Sequence, residues 1–388
     1  MREAVIVSAV RTPVGRCRGA LASVPSYELG ALAVKEAVER AGINPEEIDE
    51  VIFGNLMNSE INNMARMVAL TAGLPFTVPG IALDRQCATG LNAIAYAAML
   101  IQAGHGNIMV AGGAESDSGR CYLMEKPTAP YQVVPPQWAE IKTGPGALNV
   151  PMGITAENLA EQYGITRQEC DEFSVLSHQK ADKAWKAGYF NDQIVPVPVS
   201  LGKGKTTLVT MDETVRPDTS RESLAKLPPA FKKDGVVTAG NSSPMSDGSG
   251  AVVVMEKEAA KSGGHKILAK FKSYAAVGVD PAIMGIGPVY AVRKVLKQTG
   301  MTLGDIDLIE MNEAFASQSI ACIRDLNMDM DKLNVNGGAI ALGHPLAGTG
   351  GILAAKIINE LHRRDLQTGL ITFCCGGGQG VAVIIERE

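Results

Sequence analysis

The chain of 388 residues is 46% hydrophobic and 20% charged, which supports a large packed core in more than one unit and excludes a disordered or fibrous chain. Its 36 basic and 41 acidic residues give a formal charge of -5 and are interspersed, with no basic block or zinc-finger spacing, so no nucleic-acid partner is expected. Seven cysteines, an odd number without the spacing of a disulfide scaffold or structural zinc site, favour a reducing compartment and no metal. A strand beginning near residue 3 leaves no room for a leader, and the longest apolar runs fall short of the roughly 20 residues that cross a bilayer. A cytoplasmic protein without a membrane span is expected.

In chain order, short apolar runs read as strands, and segments with helical spacing and Ala/Leu/Glu/Lys content read as helices. The first third gives strand 4–10, helix 26–41, strand 50–53, helix 62–72, strand 80–83, helix 88–103 and strand 107–111. Strands alternating with helices imply a mixed or parallel sheet covered on both faces.

The last third repeats that order. EEIDEVIFGN (46–55) resembles GDIDLIEMNE (304–313), with Ile48 and Ile306 offset by 258. Thr89-Gly90 and Thr349-Gly350 open alanine-rich helices at an offset of 260, and IMVAGGAES (108–116) answers ITFCCGGGQ (371–379) at 263. SGAVVVMEKE (249–258) resembles QGVAVIIERE (379–388) at an offset of 130, so the closing strand follows the Gly-rich turn at once in the second copy and after a long insertion in the first. The expected organisation is α/β, with one half from 1–116 plus 246–260, a second from 261–388, and an inserted loop domain over 117–245. The insertion carries helical segments at 154–164 and 167–188 and a Pro-rich opening over 127–151, and its size suits a ligand or subunit contact.

DRQCATG sets Cys87 between a strand ending near Leu83 and a helix beginning near Ala88. Unpaired N–H groups and the helix dipole at such a turn favour a thiolate and lower the thiol pKa, and the turn lies at the sheet edge where ligands bind. The same residue could equally be a buried small hydrophobe. In TFCCGGGQG, Cys374 and Cys375 end a strand and three glycines follow. Adjacent strand residues point to opposite faces, so only one of this pair is expected to meet Cys87. The glycines allow backbone N–H groups to approach a ligand oxygen. They are no dinucleotide fingerprint, because a strand follows them, and LAGTG lacks the lysine of a phosphate-binding P-loop. Asn312 in MNEAFA and His344 in NGGAIALGHPLAGTG sit at matching edges of the second copy, each with a plain alternative as a turn or cap residue.

Together, DRQCATG, NEAFA, GGAIALGHP and CCGGGQG resemble the thiolase family, with RTPVG (11–15), MGITAEN (152–158) and TAGNSSPMSDGSG (238–250) extending the likeness over the whole chain. The resemblance implies a duplicated thiolase-like fold of two βαβαβαββ halves with packed mixed sheets and layered helices. It implies an acyl-CoA:acetyl-CoA C-acyltransferase of fatty acid metabolism that binds no permanent cofactor and uses coenzyme A or acetyl-CoA as co-substrate, working as a homodimer or homotetramer. Cys87 is then the acyl-accepting nucleophile, His344 its activator and an oxyanion donor, Asn312 the holder of an oxyanion water, Cys374 the acid/base, and the N–H groups of Gly376 and Cys87 an oxyanion hole. Ser243, Met152, Phe231, Met284 and Phe315 match positions lining the pantetheine or acyl channel, while Cys375 fills a place more often aliphatic.

In the degradative direction, the resemblance implies that a protonated His344 and the Asn312 water stabilise charge on the β-keto oxygen. Cys87 attacks the 3-keto carbon, the C2–C3 bond breaks, Cys374 protonates the acetyl-CoA enolate, and coenzyme A then takes the acyl group. Two departures stand out: Ala347-Gly348 exchanges the family's small residues after His344, and Pro151 occupies a position where biosynthetic members tend to have histidine. The latter tilts the expectation toward chains longer than acetoacetyl. A biosynthetic acetoacetyl-CoA thiolase, a decarboxylating β-ketoacyl synthase-like enzyme and a non-catalytic CoA- or lipid-binding protein are the alternatives. Both latter classes are expected to lack the second reactive thiol.

Overall fold

A computed structural model describes residues 2–127 and 142–388. The first part contains β1 (Ala4–Arg11), β2 (Gly15–Arg16), α1 (Ser26–Ala41), β3 (Glu50–Gly54), α2 (Met64–Thr71), β4 (Gly80–Ile81), α3 (Thr89–Gln102) and β5 (Ile108–Ser116). There follow α4 (Met152–Tyr163), α5 (Arg167–Lys186), the hairpin β6 (Val197–Gly202) and β7 (Lys205–Val209), the short α6 (Arg221–Leu224), β8 (Ser246–Glu256) and α7 (Lys257–Ser262). The last part contains β9 (Ala269–Gly278), α8 (Gly287–Thr299), β10 (Leu308–Met311), α9 (Ala316–Leu326), α10 (Ala339–Leu342), α11 (Thr349–Arg364), β11 (Thr368–Cys375) and β12 (Gln379–Arg387). Most of the Pro-rich segment expected over 127–151 lies outside the described residues.

The strand order is β10-β11-β12-β9-β1-β8-β5-β3-β4. Read inward from either end, β3-β5-β8-β1 and β10-β11-β12-β9 are the same arrangement. In each, a parallel pair (β3 with β5, β10 with β11) is followed by an antiparallel partner (β8, β12). The equivalent strands β1 and β9 meet, pairing Val5 with Lys270 and Ile6 with Ala269. The sequence repeat is thus a structural duplication.

The strand AVIVSAVR is buried along its whole length because helices cover both faces of the sheet. One core packs Val34, Ala37 and Val68 of α1 and α2 against Phe53, Val110 and Val253. A central core encloses Ile94 and Ala97 of α3 with Leu353 and Ile357 of α11, between Val252 and Val254 on one side and Val381 and Val383 on the other. A third packs Val289 and Val292 of α8 and Ala321 of α9 against Ile309 and Ile384. The order is helix, sheet, helix, sheet, helix. Being enclosed, α3 is apolar nearly all round, unlike a surface helix, whereas α11 buries Lys356 and Glu360 with its apolar residues.

The two central helices cross at their first residues. A Cβ on Gly350 would lie 1.9 Å from Leu91 N, and one on Gly90 would lie 2.4 Å from Ala347 O. Only glycine allows that approach, and it brings the turns preceding both helices side by side.

The insertion is anchored by a buried ion pair at the end of β1. Arg11 donates Nη1 to Asp212 Oδ1 at 2.7 Å and Nη2 to Oδ2 at 3.0 Å, with Phe190 stacked on its guanidinium. Asp212 also accepts from Val14 N and the Trp185 indole. A fork-to-fork pair with every oxygen engaged offsets the cost of burying both charges, whereas removing either partner would strand the other.

Candidate active site

The turn before α3 is built by its own side chains. Asp84 Oδ1 accepts from Gln86 N at 2.6 Å, Thr89 Oγ1 accepts from Arg85 N at 2.8 Å, and Gln86 takes a left-handed φ of 50°. This bend presents Cys87 with its side chain partly exposed. Burial nevertheless pushes its thiol up to about 11. The N–H groups of Gly376 and of Cys87 itself pull it down, and the charges of Glu115 and Asp84 push it up. The expectation of a lowered pKa from the helix terminus is therefore corrected: desolvation outweighs the favourable dipoles, and the resting group is a thiol.

β11 delivers Cys374 and Cys375 to the same region, and the left-handed Gly377 and Gly378 (φ 76° and 79°) turn the chain back into β12. A Cβ on Gly376 would sit 2.9 Å from Gln86 Oε1, so the absence of a side chain lets this backbone approach the Cys87 turn. Cys374 packs with Met284, Ala314, Met152 and Phe315, whereas Cys375 belongs to the central core against which Cys87 also packs. Both thiols are raised, first by burial and next by charge at Cys87. Strand alternation thus gives the two thiols different surroundings, as expected of adjacent strand residues.

His344 is buried, and its ring is held at both nitrogens. Nδ1 lies 2.6 Å from Thr349 Oγ1, in the first turn of α11, and Nε2 lies 3.3 Å from Asn312 Nδ2. Its backbone N donates to Ser246 Oγ at 3.2 Å. Burial lowers His344 to about 4, so the resting imidazole is neutral near pH 7 and free to accept a proton. No hydrogen bond joins its ring to Cys87, and Asn312 Oδ1 is a buried acceptor without a protein partner. Such an atom suits a bound water or a substrate donor. Thr349 was legible only as a helix opener, since nothing in its residue type announces a partner five positions back.

Glu313, the residue after Asn312, accepts from Ser177 Oγ, Asn334 Nδ2 and Ile340 N, and so ties the NEAFA turn to α5 and to the segment leading to His344. The departure at Ala347-Gly348 has a steric reason here. A Cβ on Gly348 would lie 2.6 Å from Gly248 O, so the residue without a side chain is needed at 348.

The expected channel residues are gathered around Cys374. Phe231 and Phe315 meet edge to face at 6.2 Å, Met284 is buried, and Met152 opens α4 just before Gly153, where a Cβ would run 2.2 Å from the Phe231 ring. Ser243 binds Ala314 O through both its N and Oγ at 3.0 Å. A separate cavity of about 870 Å³, between Cys17, Met57, Arg120, Tyr122 and Met245, is not lined by any of the convergent cysteines. Among the described residues no group of His, Cys, Asp and Glu could hold a metal ion, and no helix is long and apolar enough to cross a membrane.

This constellation can do nucleophilic acyl chemistry: a thiol beside paired backbone donors, a neutral imidazole, and a second thiol in an apolar pocket. Residues 4–258 match the model of the thiolase N-terminal domain, and residues 265–387 match that of the thiolase C-terminal domain. The chain belongs to the thiolase family. It is 45% identical over 393 positions to an acetyl-CoA acetyltransferase of Pseudomonas aeruginosa and 47% identical over 397 positions to a 3-ketoacyl-CoA thiolase of Bacillus subtilis, covering 100% of both chains in each case. The acetyl-CoA acetyltransferase of Bacillus anthracis superposes with a TM-score of 0.96 at 44% identity, covering 100% of this chain and 99% of that one. Human mitochondrial 3-ketoacyl-CoA thiolase in complex with CoA gives 0.93 at 40%, covering 100% and 98%. This thiolase is an acyltransferase acting on acyl-CoA thioesters, with coenzyme A as a substrate.

Proposed function

We propose that the protein catalyses reversible thiolytic cleavage of 3-ketoacyl-CoA through an acyl-Cys87 intermediate. The observation carrying this reading is that Gly376, from the second half, closely approaches the Cys87 turn of the first, so that the backbone N–H groups of both residues favour a negative charge there. A carbon bonded to the Cys87 sulfur would have its oxygen beside the N–H groups of Cys87 and Gly376. The carbonyl that Cys87 attacks therefore belongs to this pair, and His344 with the Asn312 water is left for the thioester oxygen two carbons away. This revises the assignment of the β-keto oxygen to His344.

In the first step neutral His344 takes the Cys87 proton as substrate brings them together, and the thiolate attacks C3. The C2–C3 bond breaks, its electron pair forms the thioester enolate, and the Cys374 thiol protonates C2 to release acetyl-CoA. The Cys374 thiolate then takes the proton of incoming coenzyme A, whose sulfur attacks acyl-Cys87. Expelled Cys87 recovers its proton from His344. The burial that raises Cys374 keeps its proton in place until the far more basic enolate forms, and makes its thiolate a strong base in the second half-reaction. Every proton and electron pair is returned, so the cycle runs in either direction.

Pro151 before Met152 supports a 3-ketoacyl chain longer than acetoacetyl, with a biosynthetic acetoacetyl-CoA enzyme as the second reading. We read 117–245 as the inserted unit that covers the site. The edge strand β4, with Ile81 half exposed and Phe76 87% exposed nearby, supports a homodimer through that edge, which light scattering tests. Coenzyme-A-dependent loss of 3-ketoacyl-CoA over a chain-length series tests activity and preference together. Absence of turnover with every chain length would refute the reading.

A further inference from the structure

Glu115, next to last in β5, is 0% exposed, and among the described residues no Lys or Arg pairs with it. Its Oε1 accepts from Met57 N at 2.8 Å, while Oε2 accepts from Leu56 N at 3.0 Å and Ala347 N at 3.4 Å. Asn58 clips the same loop to the strand end through both its amide atoms, donating to Ser116 O and accepting from Ser116 N at 3.0 Å. The carboxyl thus joins the loop after β3 to the turn that carries His344. That turn needs holding: Leu346 has a left-handed φ of 22°, and Ala347 O packs where a Cβ on Gly113 would come within 2.1 Å.

Burying a carboxylate without a cation is expensive. Both its oxygens accept from backbone N–H groups here, so a glutamine of the same shape would keep one acceptor and turn its NH2 toward a donor. What glutamate adds is the second acceptor and a charge that raises Cys87. Resting on the acyl-transfer reading above, the geometry points to Glu115 as a positioning residue, which ties the loop after β3 to the turn that carries His344 and so holds that turn in the site. Glu115 is pushed up to about 7 by burial, against the pull of the Met57, Leu56, Ala347 and Asn58 backbone donors, so its charge changes in the working pH range. Cys87 is faced also by Asp84 from its own turn and by Cys374 and Cys375 from β11. Asp247 on β8 is engaged with Ser116 and Ser118, and Asp117 after β5 acts on Cys17. Among these carboxyls, Glu115 and Asp84 are the ones whose charge raises Cys87.

The test compares Glu115→Gln and Glu115→Asp with the wild type in thiolysis and in the pH dependence of Cys87 alkylation by iodoacetamide, mapped by peptide mass. Glu115→Gln is expected to lose about tenfold in kcat with KM for coenzyme A within about twofold. Its Cys87 should alkylate several-fold faster at pH 8, because a lost negative neighbour lowers the thiol by up to about one unit. Glu115→Asp keeps the charge but shortens the reach, so kcat falls while the alkylation midpoint stays near wild type. In the wild type a carboxyl infrared band should titrate near pH 7, and this reading needs no variant to fold. The inference is overturned by wild-type kcat in Glu115→Gln, by equal alkylation shifts in both variants, or by a wild type without that band. A wild type inactive on every 3-ketoacyl-CoA that still shows the band and the alkylation contrast would instead sink only the acyl-transfer reading.

Discussion

Two residues before the helix-opening threonine, the first half has Cys87 and the second has Ala347; five residues before it, the first has Asp84 and the second His344. In both halves the threonine hydroxyl is turned back onto its own turn, Thr89 toward Arg85 N and Thr349 toward His344 Nδ1. The backbone contact is repeated as well. Gly376, just after β11, approaches the Cys87 turn, and its counterpart Gly113 of β5 approaches Ala347. One strand-turn-helix scaffold has therefore been loaded twice, with the proposed nucleophile in one copy and the proposed base in the other. The crossing of α3 and α11 at glycines turns that division into a single site. Duplication supplies the geometry, and a few substitutions at the turn supply the chemistry.

The comparison breaks most visibly at the nucleophile. Cys87→Ala leaves the first half's scaffold intact but removes its chemistry, so thiolysis should fall by at least about 10³-fold and acyl labelling should vanish, read by rate assay and mass spectrometry. His344→Ala performs the same deletion in the second half, and loss of a general base predicts about 10²–10⁴-fold in kcat. The pair at the end of β11 sharpens the comparison. Cys374→Ala should suppress carbon–carbon cleavage about as strongly as loss of the base while leaving acyl transfer onto Cys87 measurable, and Cys375→Ala should stay within a few-fold of wild type. Reversed results for the two cysteines would exchange their roles. Gly350→Ala attacks the helix crossing itself. Its Cβ would strike the Leu91 backbone, and about 1–3 kcal/mol of stability should be lost, measured by urea unfolding.

The smallest effect is on pH. His344 and His178 are held neutral down to about pH 4 by burial, whereas free imidazole gains its proton near 6.5. Between those values the unfolded chain binds more protons, so stability falls as pH drops from 6.5 toward 4. Replacing His178 with Gln should flatten part of that decline without altering the pH dependence of alkylation at Cys87.

The duplication was legible because strands with buried faces and enclosed helices leave apolar runs whose order survives even where residue identity does not. Helix 26–41 coincides with α1, and the expected strand at 80–83 shortens to the two residues of β4 because it is an edge with a single partner. The hairpin β6–β7 went unread: its exposed leucines, Leu201 and Leu208, break the alternation of a half-buried strand, and it pairs only with itself. Cysteine positions were equally readable, but their ionisation was not. Local sequence displays a helix terminus and conceals the layers that desolvate it, which is why the direction at Cys87 was wrong. Thr349 and Glu115 were invisible for a related reason, since each acts through a contact created by folding.

The most direct test of a site shared between the halves is peptide mapping of the acyl group after Cys374→Ala protein is incubated with an acyl-CoA. The account predicts one acyl adduct, on the peptide containing Cys87, accumulating without turnover and released on addition of hydroxylamine. An adduct on Cys375, or the same adduct level in a protein also carrying Cys87→Ala, would contradict it.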